Sequence, residues 1–381
     1  MSNIVFLDAT TDYPNRFSAG NTKVELLAKG LIECGDSITV INSPREKKNG
    51  KLYKKEIYKG IVCHTFEHPK NILAIINGYL KIEKIVRQAK ITDENNIIII
   101  SDPPFFTIYL WDLLIAKLNG YKLVVIFHEW HIAVDSISKK RKLGFFFFDY
   151  FFGYFCNAIL PISNFLWKKC EKFKKPMLKI PIVAEFDSNK MSNSTEESYF
   201  LYCGGAQYIN IIFILFKHFE KLVSKREDIS LVLVLYGETK YLDLINEEIV
   251  NRNLQQKIKI MSSIPYDELI RLYSKALALL IPLSDTLQDK ARFSQKIAEY
   301  LSSKRPIITT DIGEIPFYFK DGETAFIANS LDGDDYFEKM SYVIEHQDIA
   351  SQVGYNGYEL GLKEFNNKIV ARKLHEFILT V

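Results

Sequence analysis

Short apolar runs alternate with longer amphipathic segments along the whole chain, which predicts a parallel sheet with crossover helices. In the first half the apolar runs are nearly continuous in Val and Ile, as expected of strands covered on both faces. The predicted strands are Ile4–Asp8, Ser37–Ile41, Ile61–Phe66, Ile97–Ser101, Leu123–Phe127 and Ile159–Ser163. The predicted helices between them are Thr22–Cys34, Tyr79–Ala89 and Phe105–Leu118.

A polar stretch without apolar periodicity, Pro181–Ser198, predicts a linker, and a second series of strands and helices follows it. Its strands are Tyr199–Cys203, Leu231–Tyr236, Lys257–Met261, Ala278–Leu283, Pro306–Thr310 and Thr324–Ala328, and its helices include Ile211–Leu222, Tyr241–Arg252 and Asp267–Ser274. The two series predict an α/β protein with two doubly wound Rossmann-like domains, residues 1–182 and 183–365. We expect the amphipathic helix Asn366–Val381 to pack back on the first domain.

Composition narrows the class of protein. Hydrophobic residues make up 48% and charged residues 25% of the chain, as in a soluble globular protein. A formal net charge of +3 gives no support to a nucleic-acid partner, which favours a strongly basic domain. Five scattered cysteines without a CxxC pair indicate reduced thiols in the cytosol and disfavour a zinc site. We expect neither a signal peptide nor a membrane span.

Cations and a carboxylate converge on one predicted crevice between Ala291 and Pro316. The strand Ala278–Leu283 ends at a polar loop, and a second strand ends before Gly313. The helix predicted between them carries Arg292, Ser294, Lys296 and Glu299. Open α/β sheets bind nucleotides in such a crevice, at the carboxyl ends of their strands. The cations can face a diphosphate, and the carboxylate can accept hydrogen bonds from ribose hydroxyls.

Two further candidates follow predicted strands of the first half. Ser18, Ala19 and Gly20 open a helix whose backbone amides suit a phosphate or sugar oxygen, against the alternative of an ordinary strand-to-helix turn. The loop lacks GxGxxG and the ending of a P-loop, so dinucleotide or ATP use is not indicated. His128 ends a predicted central strand, and the spacing in HEWH does not fit a zinc site.

Two segments allow a competing interpretation. Leu331–Phe337 is acidic, but Asp and Gly before an amphipathic segment are typical of a helix start rather than a metal site. Ser138–Cys156 joins four consecutive cations to a cluster of aromatic residues. That cluster either fills the core of the first domain or contacts an anionic membrane surface, which would make the cytosolic protein peripheral on the inner face of the cytoplasmic membrane.

Over nearly its whole length the chain resembles the retaining glycosyltransferases of family four, which have the GT-B fold of two Rossmann-like domains facing each other across a cleft. The segments carrying the resemblance are ARFSQKIAEYLSSKRPIITTDIGEIP, LYCGGAQ, ILPISNFLWKKCEKF and SDPPFFTIYLWDLLIAKLNGYKLVV, the last similar to members that build surface polysaccharides. The resemblance implies transfer of a sugar from a nucleotide-sugar donor to a glycan or lipid-linked acceptor in capsule, exopolysaccharide or O-antigen synthesis, with no metal or other cofactor.

The resemblance also implies roles for individual residues. His128 matches the active-site histidine, Glu299 would hold the ribose, and Arg292 and Lys296 would lie near the diphosphate. The remaining donor contacts would come from Gly20, Gly313, Glu314 and Ile315, and the acceptor contacts from Ser18 and Ala19.

Three positions depart from the family pattern. Ala291 replaces an acidic residue, and Gly205 and Asn210 stand about where an Arg and a Lys commonly contact the diphosphate. Arg292 is the candidate replacement for those cations. Two alternatives therefore stay open: a non-catalytic GT-B subunit that binds a glycan or a partner enzyme, and a nucleotide-sugar epimerase on the same fold, which needs additional acid–base carboxylates.

Overall fold

A computed structural model describes residues 1–10, 13–15, 18–42, 53–66, 72–92, 94–101, 106–134, 137–186 and 198–381. These residues form two compact units. Unit 1 comprises Met1–Ala184, Lys290–Gln295 and Phe365–Val381, and unit 2 comprises Glu185–Asp289 and Lys296–Glu364. Each unit is an α/β domain with its own sheet, as the sequence predicts.

Unit 1 is built on a sheet in which all strand pairs but one are parallel. Its elements in chain order are β1 (Ser2–Leu7), α1 (Ala19–Glu33), β2 (Ser37–Asn42), β3 (Tyr53–Tyr58), β4 (Ile61–Phe66), α2 (Ile72–Ala89), β5 (Asn95–Ser101), α3 (Phe106–Asn119), β6 (Lys122–Phe127), α4 (Lys139–Phe151), β7 (Ala158–Pro161) and α5 (Asn164–Cys170). Among the described residues the strand order is β3-β4-β2-β1-β5-β6-β7. The order therefore reverses between β1 and β5, where such sheets leave a crevice at the strands' carboxyl ends.

The edge strand β3 is not predicted by the sequence. It pairs antiparallel with β4, from Tyr53 opposite Phe66 to Tyr58 opposite Ile61. Its sequence, YKKEIY, is rich in Lys and Glu, which are depleted in strands but common at sheet edges because charge discourages pairing with another chain.

The helices of unit 1 form a layer on each face of its sheet. Because parallel crossovers are right-handed, α2, α3 and α4 lie on one face and α1 on the other. On the first face, α2 contacts α3 and α3 contacts α4. The inner sides of these helices pack with a sheet interior of buried Val, Ile and Phe residues, which is the core of unit 1.

Unit 2 contains the second predicted series. Its elements, some shared with unit 1 at 287–295, are β8 (Tyr199–Gly205), α6 (Ile209–Val223), β9 (Ser230–Tyr236), α7 (Thr239–Asn251), β10 (Ile258–Met261), α8 (Tyr266–Lys275), β11 (Ala278–Ile281), α9 (Leu287–Ala291), α10 (Gln295–Ser302), β12 (Ile307–Thr310), α11 (Ile315–Tyr318), β13 (Phe326–Ala328), α12 (Asp334–Glu345) and α13 (Gln347–Glu364). The sheet is parallel among the described residues, in the order β10-β9-β8-β11-β12-β13, and reverses between β8 and β11.

The last helix, α14 (Asn367–Thr380), belongs to unit 1 and packs on α1. The two helices approach so closely that a Cβ added to Gly30 would lie 2.4 Å from Cβ of Ala371. Two polar contacts accompany this packing. Asn367 Nδ2 donates to the carbonyl of Leu26 at 3.2 Å, and His375 Nδ1 lies 2.7 Å from Asp36 Oδ2.

Two sequence predictions need correction. The start of the predicted linker Pro181–Ser198 is packed in unit 1, where Val183 is fully buried and Ala184 pairs with Asn366; residues 187–197 lie outside the described residues. Arg292 and Ser294 do not share a helix with Lys296 and Glu299, because α9 ends at Ala291 and α10 begins at Gln295. The intervening residues are held in unit 1 by hydrogen bonds, described below.

Candidate functional site

Unit 1 contains a pocket of about 400 Å³ at the carboxyl ends of its central strands. It is lined by Asp8, Ala9, Thr10, Ser18, Ala19, Gly20, Asn21, Lys23, Ser101, His128, Glu129, Ile162, Ile182, Arg292, Phe293 and Gln295. The structure thus brings together five residues that the sequence singles out: Ser18, Ala19, Gly20, His128 and Arg292. The pocket lies where the strand order of unit 1 reverses, the usual position of a ligand in an open α/β sheet.

The start of α1 forms one wall of this pocket. Ser18 is the N-cap, and its Oγ accepts a hydrogen bond from the backbone N–H of Asn21 at 3.2 Å. A Cβ added to Gly20 would meet nothing within 4 Å, so the backbone there is open to a ligand. A capped helix start with an open glycine suits an anionic or hydroxyl oxygen.

His128 follows β6 directly and is oriented by its neighbouring strand. Its Nδ1 lies 2.8 Å from Ser101 Oγ, at the end of β5. Because β5 and β6 are adjacent and parallel, their carboxyl ends bring the two side chains together. This contact helps determine which face of the imidazole ring is directed into the pocket.

Charged groups of both signs line the pocket, and most are not apparent from sequence motifs. Asp8 is buried with a φ of 53°, in the left-handed region that Asp adopts more readily than most residues. Lys23 is also buried, and its Nζ donates to the carbonyl of Ile180 at 3.3 Å. Glu129 lies beside His128. The sequence could have revealed both carboxylates, since Asp8 directly follows the buried strand β1 and Glu129 is the second residue after β6.

Residues 290–295 are tied to unit 1 by hydrogen bonds. Ser163 caps α5 and its Oγ donates to the carbonyl of Ala291 at 2.6 Å. The side-chain amide of Gln295 accepts from the backbone N–H of Val183 at 3.3 Å and donates to the carbonyl of the same residue. These contacts hold Arg292 at the pocket of unit 1, whereas Lys296 and Glu299 belong to unit 2.

Unit 2 has its own crevice position, at the carboxyl ends of β8 and β11. Threonine hydroxyls hold the neighbouring strand ends in register, because Thr309 Oγ1 donates to the carbonyl of Ile281 at 2.9 Å and Thr310 Oγ1 to that of Leu283 at 2.7 Å. The chain then turns at Gly313, whose φ is 64°, into α11. Glu314 and Ile315, at the start of α11, are buried.

Lys296 and Glu299 stand in the first turns of α10, the helix that precedes β12. Glu299 is buried, and this burial raises the pKa of its carboxyl to about 7, although the charge of Lys296 lowers it in part. Lys296 Nζ donates to the hydroxyl of Tyr236 at 3.4 Å. Burial lowers the pKa of Lys296, but Tyr236, Cys203 and Glu299 outweigh that effect and the pKa is raised overall.

The side chain of Gln207 covers Gly205, one of the two positions where the resemblance places a cation. A Cβ added to Gly205 would lie 2.3 Å from Gln207 Oε1 and 2.5 Å from Nε2, so the amide covers the glycine at the end of β8. Asn210 is exposed on α6. The absence of a side chain at Gly205 therefore makes room for a neutral hydrogen-bonding group, a substitution that the pattern GGAQ alone does not reveal.

The acidic segment Leu331–Phe337 is the start of a helix, as its composition predicts. Gly333 is the N-cap of α12, and Asp334 and Asp335 lie in its first turn. Within the described part of the chain, no group of three or more His, Cys, Asp or Glu side chains could hold a metal ion. The same residues include no helix long and apolar enough to cross a membrane.

Comparisons with known proteins place these sites in context. Residues 183–360 match the family model described as glycosyl transferases group 1. Over 329 residues the chain is 23% identical to an uncharacterized glycosyltransferase of Methanocaldococcus jannaschii, covering 85% of this chain and 87% of that protein. A shorter match of 86 residues, 30% identical, links 23% of the chain to 20% of the trehalose synthase of Thermococcus litoralis.

Solved structures with the same fold extend the comparison to the whole chain. The sucrose-phosphate synthase of Thermosynechococcus elongatus superposes with a TM-score of 0.78 at 13% identity, covering 100% of this chain and 99% of that one. HepE of Anabaena, solved with UDP and glucose, gives a TM-score of 0.73 at 12% identity and covers all of both chains. These solved structures show that the chain has the GT-B fold.

Proposed function

We propose that the protein is a retaining hexosyltransferase that moves a sugar from a nucleotide-sugar donor to a glycan or lipid-linked acceptor. The observation that carries the proposal is the buried carboxyl of Glu299, one turn from Lys296, on α10 of unit 2. A buried carboxylate gains most from hydroxyl donors such as those of a ribose. HepE, solved with UDP and with UDP-glucose, supports a uridine diphosphate sugar as the first donor to test.

In this proposal the two units bind different parts of the substrates. The nucleotide of the donor would bind unit 2 through Lys296, Glu299, Gly313, Glu314 and Ile315. The pocket of unit 1 would receive the acceptor at Ser18 and Ala19 and reacting parts of the donor at Gly20, Arg292 and His128. Cations and helix starts would stabilise the leaving diphosphate, so the proposed reaction needs no metal and no other cofactor. His128 would contact the transferring sugar.

The proposed setting is the synthesis of a capsule, an exopolysaccharide or an O-antigen, on the cytoplasmic face of the membrane. The lipid of a lipid-linked acceptor would account for the basic and aromatic residues of Ser138–Cys156. The structure divides these aromatic side chains, since Phe145, Phe148 and Phe152 are buried whereas Phe146, Phe147 and Phe151 are exposed. The exposed members support peripheral attachment to an anionic membrane.

Calorimetric titration with UDP, GDP, ADP and CMP tests the donor site. We expect one nucleotide to bind the native chain, and Glu299→Ala to weaken that binding about ten- to a hundredfold, which corresponds to a charged hydrogen bond of about 1.5–3 kcal/mol. Glu247→Ala, an exposed carboxylate on α7, is the matched control and should bind as the native chain does. If no nucleotide binds at millimolar concentration, the proposal fails.

A non-catalytic subunit is the second candidate, and one observation favours it. The neutral amide of Gln207 covers Gly205, where the family pattern places a cation, and Ala291 is buried with its carbonyl bonded to Ser163. A subunit of this kind would bind no nucleotide in the same titration and would hydrolyse no donor.

An epimerase on the same fold is favoured by a different observation. The pocket of unit 1 contains the two carboxylates Asp8 and Glu129 beside His128, a pairing that the sequence does not indicate. Incubation of a nucleotide sugar without acceptor in deuterated water distinguishes the reactions, because epimerisation through deprotonation incorporates deuterium into the sugar whereas transfer does not.

A further inference from the structure

The outer face of the helix layer α2–α3–α4 in unit 1 is unusually apolar for a surface that faces water. A helix at the surface of a soluble protein normally turns polar residues outward. Here the exposed side chains of the three helices and the turn after them include Leu73, Ile75, Ile76, Leu80, Leu110, Trp111, Leu114, Leu118, Leu143, Phe146, Phe147, Phe151, Tyr154 and Phe155. Leu73, Leu118 and Leu143 are 71%, 69% and 64% exposed.

These side chains belong to one continuous surface, because neighbouring helices contact each other through aromatic rings. Trp111 of α3 stacks on Tyr79 of α2 with ring centroids 5.4 Å apart, and Phe106 of α3 lies 6.2 Å from Phe147 of α4. The surface therefore extends well beyond the segment Ser138–Cys156, to two helices that the sequence does not single out. Exposed apolar patches of this kind mark interaction sites in soluble proteins.

The charged residues on α2, α3 and α4 indicate which kind of partner covers this apolar surface. Exposed cations on the same helices are Lys81, Lys84, Arg87, Lys117, Lys139 and Arg141. The carboxylates on these helices are Glu83, Asp112 and Asp149, and two of them are buried. Glu83 is partly exposed and lies 3.8 Å from Arg87 Nε. The face thus combines apolar and aromatic side chains with an excess of positive charge, as do proteins that lie in the interface of an anionic bilayer.

A second copy of the chain fits this face less well. A symmetric dimer would place the same patch of both copies in contact, and therefore the cations of one copy against those of the other. Like charges brought together in an interface oppose association, whereas anionic lipid headgroups neutralise them.

We propose that the outer face of α2, α3 and α4, with Trp111 and Phe147 among its anchors, is a binding surface for anionic phospholipid bilayers. The inference deepens the proposed peripheral attachment, on which it rests, by assigning it to three helices rather than to the segment 138–156 alone. It does not depend on the donor site in unit 2, so nucleotide binding can fail while lipid binding holds.

Cosedimentation of the full chain with vesicles tests the surface. We expect the native protein to sediment with phosphatidylcholine vesicles that contain phosphatidylglycerol at low salt, and less with pure phosphatidylcholine or at high salt. The variant Trp111→Glu/Phe147→Glu should lose at least about tenfold in partitioning, since it replaces two interfacial aromatics by acids. Leu244→Glu/Val250→Glu, at exposed apolar positions of α7, is the matched control and should bind like the native chain.

Two further measurements distinguish binding through this surface from misfolding of the double variant and from nonspecific adsorption to the vesicles. Lys117→Gln and Arg141→Gln should each lower partitioning about fivefold without touching the apolar surface. Brominated phospholipid should quench the tryptophan fluorescence of the native protein. Trp111→Phe should remove most of that quenching, because Trp130 is buried in the core and the partly exposed Trp167 lies on α5, outside the three helices.

The outcomes that overturn the inference are separate from those that overturn the attachment itself. If native protein binds anionic vesicles but the Trp111/Phe147 variant binds equally well, the surface is assigned wrongly. If native protein stays in the supernatant, the peripheral attachment fails as well. If sedimentation velocity shows a dimer that Trp111→Glu/Phe147→Glu dissociates, a second copy covers the face and the bilayer assignment is wrong.

Discussion

The hydroxyl of Ser101 and the imidazole Nδ1 of His128 lie 2.8 Å apart, at the ends of two adjacent parallel strands of unit 1. The contact joins β5 to the residue after β6 and orients the ring at the pocket. This hydrogen bond gives the imidazole of His128 a defined position before any ligand binds. A substitution of Ser101 removes the hydrogen bond alone, whereas a substitution of His128 removes the imidazole ring as well.

Removing the hydroxyl should impair turnover more than donor binding. We expect Ser101→Ala to lower kcat about three- to tenfold, because a typical hydrogen bond contributes about 0.5–1.5 kcal/mol. The affinity for the free nucleotide, measured by calorimetry, should stay unchanged because the proposed nucleotide contacts belong to unit 2. Ser101→Thr keeps a hydroxyl and should retain most of the activity. Full activity of Ser101→Ala together with an inactive His128→Ala would show that Ser101 does not position the ring.

The buried carboxyl of Glu299 should make unit 2 less stable at alkaline pH. Its pKa is about 7 in the folded protein against 4.5 as the ordinary value, so the folded state binds this proton more tightly than the unfolded state does. Stability therefore falls as pH rises from about 4.5 to about 7, and the full cost is present above that range. Glu299→Gln should raise the free energy of unfolding by up to about 3 kcal/mol near pH 8 and leave it nearly unchanged near pH 4.

Thermal unfolding across this pH range measures the effect of Glu299→Gln. The exposed Glu247→Gln on α7 serves as the control and should change the melting temperature little at any pH. An equal gain for Glu299→Gln at both ends of the range would mean that the carboxyl does not titrate differently in the folded state.

Gly20 offers a test of close ligand approach that does not disturb the fold. A Cβ at this helical position meets nothing within 4 Å, so Gly20→Ala should keep or slightly raise stability, by about 0.5–1 kcal/mol from helix propensity. We expect kcat/KM to fall at least about tenfold if a ligand oxygen approaches the glycine backbone. Gly144→Ala on α4, which is equally open, should show the stability effect without the kinetic one. Unchanged kinetics for Gly20→Ala would remove this residue from the site.

A buried carboxylate connects α4 to the residues that follow His128. Asp149 Oδ1 lies 2.7 Å from His131 Nδ1, and Oδ2 accepts from the backbone N–H of Ile132 at 3.1 Å. Asp149→Asn replaces one acceptor by a donor and should cost about 2–4 kcal/mol in the free energy of unfolding, measured in urea. The exposed Asp228→Asn is the control and should change the free energy of unfolding little. A small effect of Asp149→Asn would mean that the site relaxes around the amide.

Most strands of both sheets are predictable from the sequence, because they are nearly continuous apolar runs bounded by polar turns. Burial on both faces of the sheet demands such runs. The charged strand β3 is not predictable in this way, because an exposed sheet edge favours charged residues whereas a buried strand requires apolar ones. His128, Lys296 and Glu299 stand out because a strand end or helix start places them on a predictable edge. Asp8, Ser101 and Gln207 acquire their positions from the pairing of strands distant in sequence, and no local pattern encodes that pairing.

The contact between α1 and α14 has a consequence for how the chain is made. Residues 365–381 complete unit 1, yet they leave the ribosome only after the whole of unit 2 has been synthesised. Until then the α14-facing side of α1, including Gly30, lacks the cover that α14 provides. Nascent unit 1 therefore lacks part of its own packing throughout the translation of unit 2, when apolar surface left open is prone to aggregation and to capture by chaperones.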